Sequence, residues 1–486
     1  MINRLSEKIL KNVIKTFFFF SFSLFLLVLF FLNGFLSMLF LFLLIPFLFE
    51  LFIVILFRVN YGKNFKYSFL SFLLIDHDKY GFSFRPNARF KEINFLLYDS
   101  FAFPSGSKRI SDLEKNKTSR NIFNVNSLGF RGQEFSKKKD KDTLRVFCSG
   151  GSTTACDSNN DNQTWPYKLQ EYLQDKTQKK IEVINAGVQG WYSYQELLRF
   201  KEEILNYDPD VLILHEGWNE EFEYSSLGLG TKWKPCTVRN TREANNLYCS
   251  KDALYSGTLF KSFYLLLQEI RKKYIFSSNM SFTNPKRWNV LNSLDYKDAW
   301  MNNLMEFATL AKDNNILMYT VDSPCLVNLS DSSEERNIYL KNSRLNSLFA
   351  DYQSISKKII SQILKVFNQV VPRIDCNLDF VRFKGAERLN LFIDEIHLSA
   401  EGNNILANTI SQSLLKDKAF KDLLENLDKK KSNIIFSKDE MIYLKQQCLK
   451  ENLYLKDCVQ ENINLVENKK FNQEEYSVPV DRYTTF

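Results

Sequence analysis

Ser152 stands directly behind two glycines at the end of an apolar stretch, Arg145-Val146-Phe147-Cys148-Ser149-Gly150-Gly151-Ser152. A serine hydroxyl becomes a nucleophile only when a base can take its proton. The chain has three histidines, His77, His215 and His397, so any histidine base is one of these. His397 falls in Asp394-Glu395-Ile396-His397-Leu398, where an aspartate three residues earlier can turn back onto the ring and orient it. Attack of a serine on an acyl carbon builds an oxyanion, which needs hydrogen-bond donors. The Ser152 N–H, the Gly190 N–H of Asn185-Ala186-Gly187-Val188-Gln189-Gly190 and the side-chain amide of Asn219 would supply three, with Gly187 a second candidate for the backbone donor. The chemistry of such a set is acyl transfer through an acyl-serine.

Each piece alone has a plainer reading. Gly-Gly-Ser after a strand is also an ordinary turn, His397 alone a core histidine, and Asn219 alone a helix cap. His215 reads as a structural or substrate-edge residue, His77 as a surface residue and Cys148 as core packing. What raises the set above its parts is the pattern that must position it. From 143 to about 416 strands and helices alternate. Strands are expected at Leu144–Ser149, Ile181–Asn185, Asp210–His215 and Ile316–Val321. Helices are expected at Trp165–Lys176, Tyr194–Asn206, Lys297–Asp313, across most of Glu335–Gln369 and at Ala400–Leu415. This order predicts an α/β fold with a parallel sheet and helices on both faces. Ser152, Gly190 and Asn219 each follow a strand, and His397 precedes the last helix, so all four converge at the carboxyl end of the sheet, where open α/β sheets place their ligands. The two glycines behind Ser152 are expected to relax the backbone for a tight turn.

The chain has 486 residues, 45% hydrophobic and 25% charged, an ordinary globular balance with a formal charge of +8. Lysine runs such as Lys137–Lys139 and Lys429–Lys431 read as solvated surface, and no nucleic-acid motif accompanies them. None of the eight cysteines forms a Cys-x-x-Cys, so no metal site and no cofactor are expected. Cys236 with Cys249, and Cys448 with Cys458, are spaced to close small disulfide loops, and they read equally as free thiols.

Residues 17 to 57 form an almost unbroken apolar run whose one charge is Glu50, behind a short basic segment. As one helix it would reach about 60 Å, against a hydrocarbon core of about 30 Å. Asn33-Gly34 then divides residues 1–60 into a membrane anchor of two spans, about 13–33 and 36–57; a signal-like first half with one span is the other reading. Flanking charge puts the rest of the chain in the cytoplasm, the possible disulfides put it outside, and the side stays open. Residues 61–142 read as a juxtamembrane lead-in with little regular pattern, which contains Asn126-Ser127-Leu128-Gly129-Phe130-Arg131-Gly132. Residues 222–292 are an aromatic-rich insert at the sheet's carboxyl end, read as a lid or substrate-shaping element, and 417–486 a lysine- and glutamate-rich helical extension.

The four segments resemble, in their order, the motifs of the SGNH (GDSL-type) hydrolase family. Ser152 matches the family's nucleophile, Gly190 and Asn219 its oxyanion residues, and Asp394 and His397 its Asp-x-x-His. The resemblance covers about 143–416, and the Asn126–Gly132 lead-in is similar to that of membrane-anchored bacterial members. Two departures stand out: Gly151 and Glu220 occupy positions where aspartate is common. The resemblance implies a three-layer α/β/α sandwich and a membrane-anchored serine esterase acting on an acyl ester, of a glycan or a lipid. It also implies two alternatives, an O-acyltransferase with the same site and a non-catalytic binding module of the same fold.

Overall fold

The computed structural model describes residues 74–91 except 78, 122–220, 289–342 except 292, 347–427, and 432–446 except 438, 441, 444 and 445. The anchor segment 1–60, the body of the insert, and Cys236, Cys249, Cys448 and Cys458 lie outside the described residues. Among the described residues no helix is long and apolar enough to cross a membrane.

Four short strands come first: β1 Leu74–His77, β2 Gly81–Phe84, β3 Arg89–Lys91 and β4 Ile122–Asn124. β1 pairs antiparallel with β2, and β3 with β4. The core sheet follows, with β5 Thr143–Gly150, β6 Lys180–Asn185, β7 Val211–His215, β8 Leu317–Asp322 and β9 Arg373–Asp375. Its spatial order is β6-β5-β7-β8-β9, and every pair is parallel. All eight residues of β5 are buried, as are all five of β7 and all six of β8. That is the burial of strands covered on both faces, and it explains why they read as near-continuous apolar runs.

The covering helices are α1 Ser152–Ala155, α2 Trp165–Thr177, α3 Ser193–Glu202, α4 Leu294–Asp313, α5 Ser347–Phe367 and α6 Ala400–Lys416. α2 packs against α6, and α3 against α4. Right-handed crossovers put α2 on one face as the chain steps from β5 to β6. The return to β7 passes over the other face through α3 and continues there with α4 and α5. Gly217, at the end of β7, meets Trp300 of α4 and Ile360 of α5 on that face. The strand order turns back across β5, with β6 on one side of it and β7 on the other, and Ser152 follows the end of β5 by two residues, so the serine sits at the switch point of the sheet.

Three features differ from the expectations. The lead-in is not patternless: Tyr80, Phe82, Phe84, Phe123 and Val125 form a second buried cluster with Ala155, Val188 and Trp191. Each fully buried aromatic of this kind contributes about 1.5–3 kcal/mol, enough to hold the short hairpins on the main body. The fifth strand, β9, has one apolar residue, Ile374, between Arg373 and Asp375, so no apolar run announces it. Beyond helix Lys418–Glu425, the extension seals the sheet edge that short β9 leaves open. The Asn433 side chain accepts from the Met318 N–H at 2.9 Å and donates to the Met318 carbonyl at 2.9 Å. Such plugging satisfies an edge that would otherwise template another strand.

Candidate active site

Space, not backbone angle, dictates the two glycines before Ser152. Neither Gly150 nor Gly151 has a positive φ. A Cβ on Gly150 would lie 2.2 Å from Thr154 Oγ1 and 2.3 Å from the His215 carbonyl oxygen. On Gly151 it would lie 2.6 Å from Asn219 Nδ2 and 2.9 Å from the Trp191 carbonyl oxygen. A side chain such as aspartate at position 151 therefore has no room, because the Asn219 amide fills its place. The turn that carries Ser152 closes at Cys156, which adopts the left-handed conformation at φ 51° and donates its N–H to the Ser152 carbonyl at 2.8 Å.

His397 arrives from the loop before α6. The Asp394 carboxylate shapes that loop: Oδ1 accepts from the Ile396 N–H at 2.9 Å and the His397 N–H at 2.7 Å. Its other oxygen, Oδ2, lies 2.6 Å from His397 Nδ1. One carboxylate thus folds the backbone and orients the ring, which is why three residues of separation suffice. On the far side of the ring, His397 Nε2 lies 2.8 Å from Ser152 Oγ. Burial alone would lower the His397 pKa, but the charge of Asp394 and its hydrogen bond, helped by Glu395 and Asp157, raise it above the ordinary histidine value.

The donors gather on the other side. Asn219 Nδ2 gives one hydrogen to the Trp191 carbonyl at 2.6 Å and keeps a second for a ligand. Gly190, beside Trp191, has φ 75°, a backbone that favours glycine, and its N–H meets no acceptor among the described residues. The Ser152 N–H is the first of α1, whose leading N–H groups have no partner within the helix. Gly187 is not available as the alternative donor: its N–H donates to Asn185 Oδ1 at 3.0 Å. Its lack of a side chain lets the chain pass α1, since a Cβ there would lie 2.4 Å from the Ala155 nitrogen. Glu220 has a structural task, accepting from the Ser193 N–H at 2.6 Å and the Ser193 hydroxyl at 3.0 Å at the start of α3.

The other two histidines stand apart. His215 is 1% exposed, its Nδ1 is 3.3 Å from Thr154 Oγ1, and its ring meets Trp165 edge-on at 5.5 Å. Burial, with the Lys357 charge, pushes its pKa down to about 3 despite Asp322. His77 is half-buried, stacks on Tyr80 at 4.1 Å and accepts from the Lys79 and Tyr80 N–H groups. Cys148, Cys156, Cys325 and Cys376 are buried free thiols. Among the described residues no group of acidic, histidine or cysteine side chains is arranged to hold a metal.

Two residues near the site carried no clear sequence signal. Arg131, buried in the lead-in turn, donates to the Ala155 carbonyl and, at 2.6 Å, to the Asn159 carbonyl. It thereby pins the loop after Ser152 from a segment that reads as separate. Asp157 lies in that loop, 5% exposed, with neither carboxylate oxygen hydrogen-bonded. Its place five residues after the serine, in Cys156-Asp157-Ser158-Asn159, was the one available hint.

No protein-family model matches the chain, and no curated protein matches it. Among solved structures, a GDSL-like lipase from Bacteroides thetaiotaomicron is 17% identical with a TM-score of 0.30, over 58% of this chain and 92% of that one. An acetyl xylan esterase is 19% identical with a TM-score of 0.33, over 56% and 99%. An acetylxylan esterase from Geobacillus stearothermophilus is 13% identical with a TM-score of 0.32, over 56% and 95%. Scores this low leave the chemistry of the site to be argued from its own atoms.

Proposed function

We propose that this chain is a serine esterase of the SGNH type, which cleaves an O-acyl ester through an acyl-enzyme on Ser152. The observation that carries the reading is the unbroken line Ser152 Oγ, His397 Nε2, His397 Nδ1, Asp394 Oδ2, with spacings of 2.8 and 2.6 Å at its two hydrogen bonds. Ser152 Oγ attacks the ester carbon as its proton passes to Nε2. Asp394 holds the opposite nitrogen protonated and stabilises the imidazolium. The negative oxygen of the tetrahedral species is received by the Asn219 amide and the Gly190 and Ser152 N–H groups. On collapse, His397 returns the proton to the departing alcohol. Water, deprotonated by the same ring, then releases the acid and restores the serine. We also propose that residues 1–60 anchor the enzyme in a membrane, on the apolar run alone.

A fluorophosphonate probe and phenyl acetate test the enzyme reading. The wild type is expected to be labelled at Ser152 and to hydrolyse the ester, and Ser152→Ala to do neither while unfolding normally. Full activity in that variant would refute it.

A further inference from the structure

Asn219 offers its oxyanion donor on a side chain whose last torsion is loosely defined, since an amide plane on a tetrahedral carbon has no sharp preference of its own. What fixes the plane here is the Trp191 carbonyl, which accepts from Asn219 Nδ2 at 2.6 Å. That bond settles which end of the amide is nitrogen and aims its second hydrogen. The Trp191 carbonyl must then itself be held. The Trp191 N–H donates to the Val188 carbonyl at 3.1 Å, and the indole Nε1 donates to the Phe82 carbonyl at 3.1 Å. Phe82 belongs to β2 of the lead-in, 109 residues earlier. The Trp191 ring is 1% exposed and meets Tyr80 and Phe82 edge-on at 5.4 and 6.4 Å. Phe82 also flanks the other donor: a Cβ on Gly190 would lie 3.8 Å from its ring. A second tie holds the hairpin down, from Gln195 Nε2 of α3 to the Tyr80 carbonyl at 2.7 Å. Any large apolar ring could fill the space at 191; the buried indole N–H and its acceptor add direction.

We propose, building on the esterase reading above, that Trp191 is a positioning residue for the oxyanion donor Asn219, and that the β1–β2 hairpin of the lead-in is the support on which it rests. The Phe82 carbonyl holds the indole, the indole holds the Trp191 backbone, and the Trp191 carbonyl aims the Asn219 amide. The lead-in therefore acts on the chemical step and not on the binding of the ester.

The test is a double-mutant cycle on kcat with phenyl acetate and full-length protein, with fluorophosphonate labelling of the wild type and thermal unfolding of every variant. Trp191→Phe keeps a ring and removes the indole donor. It should lower kcat roughly 10- to 100-fold, the cost of a misplaced group, and leave KM nearly unchanged. In an Asn219→Ala background the same change should lower kcat little further, because the group it aims is gone. A role in packing alone would cost the same factor in both backgrounds. Should Trp191→Phe fail to fold, Gln195→Met, which cuts the hairpin's other tie, decides by the same cycle. A kcat that does not fall, or that falls by the same factor with and without Asn219, would overturn the assignment and leave the esterase reading intact. A wild type that is neither labelled at Ser152 nor active would overturn both.

Discussion

The carboxylate of Asp157 should make the protein less stable as the pH rises, and Asp157→Asn should relieve that. Burial pushes the Asp157 pKa from 3.8 up to about 6, with Arg131 and His397 offsetting part of the rise. An acid whose pKa is raised by folding is protonated more readily in the native state than in the unfolded one. Its contribution to stability is intact below pH 4 and is lost as the pH climbs through 6. A rise of that size corresponds to about 3 kcal/mol lost by pH 7 to 8, at roughly 1.4 kcal/mol per unit of pKa. Asparagine matches the neutral acid in shape and has no charge to bury. The two proteins should therefore unfold at nearly the same temperature at pH 3.5, and the variant should gain roughly 5–10 °C by pH 8. Scanning calorimetry at a fixed rate across that range measures the divergence. Lines that stay parallel from pH 3.5 to 8, or a wild type that gains on the variant, would mean that the Asp157 carboxylate has a partner in the folded state.

The other expectations are simpler. Asn219→Ala should lower kcat by about 10²- to 10³-fold with little change in KM, measured on phenyl acetate; a change confined to KM would place the amide in ground-state binding. In the wild type, kcat/KM should fall on the acid side along a one-proton limb above the ordinary histidine value of about 6.5, because the His397 pKa is raised. Asp394→Asn should shift that limb to lower pH and cut the rate by orders of magnitude, and a limb that stays in place would remove Asp394 from the pair. Full-length protein should remain in membranes through a high-salt wash and residues 61–486 should not; release of the full chain by salt would exclude an integral anchor.

The parallel sheet was legible because β5, β7 and β8 are buried on both faces and so are mostly apolar, with Arg145 and Asp322 the buried charges among them. The helices Trp165–Thr177, Ser193–Glu202 and Ala400–Lys416 were legible through their spaced apolar faces, to within a few residues at their ends. β9 was not, since three residues with charged ends form a strand only because β8 offers them an edge. The lead-in hairpins escaped notice because their strands are held by burial against Val188 and Trp191, residues about 100 positions away. At the site, residue type and order pointed to Ser152, His397, Asp394, Gly190 and Asn219, because chemistry restricts which side chains can serve. What the order could not convey was space. Gly187 looks like a donor until its N–H is seen on Asn185, and Gly151 looks like a turn residue until Asn219 is seen in its place.

The two histidines at the end of the sheet show how geometry separates a candidate base from a structural ring. Both His215 and His397 lie close to the end of the strand that precedes Ser152, His215 fully buried and His397 with its side chain 12% exposed. Burial acts on each in the same direction, against the charged ring. For His215 nothing reverses it: Lys357 adds to the effect, Asp322 does too little, and the ring stays neutral through the working pH range. A group that does not change protonation near neutrality cannot produce an acid limb there. For His397 the carboxylate at 2.6 Å reverses the sign. That ring can take a proton from Ser152 and hold it as imidazolium long enough to give it to the alcohol. The Asp394 carboxylate therefore has three effects: it folds the loop, fixes which nitrogen faces Ser152, and raises the His397 pKa where that of His215 is lowered.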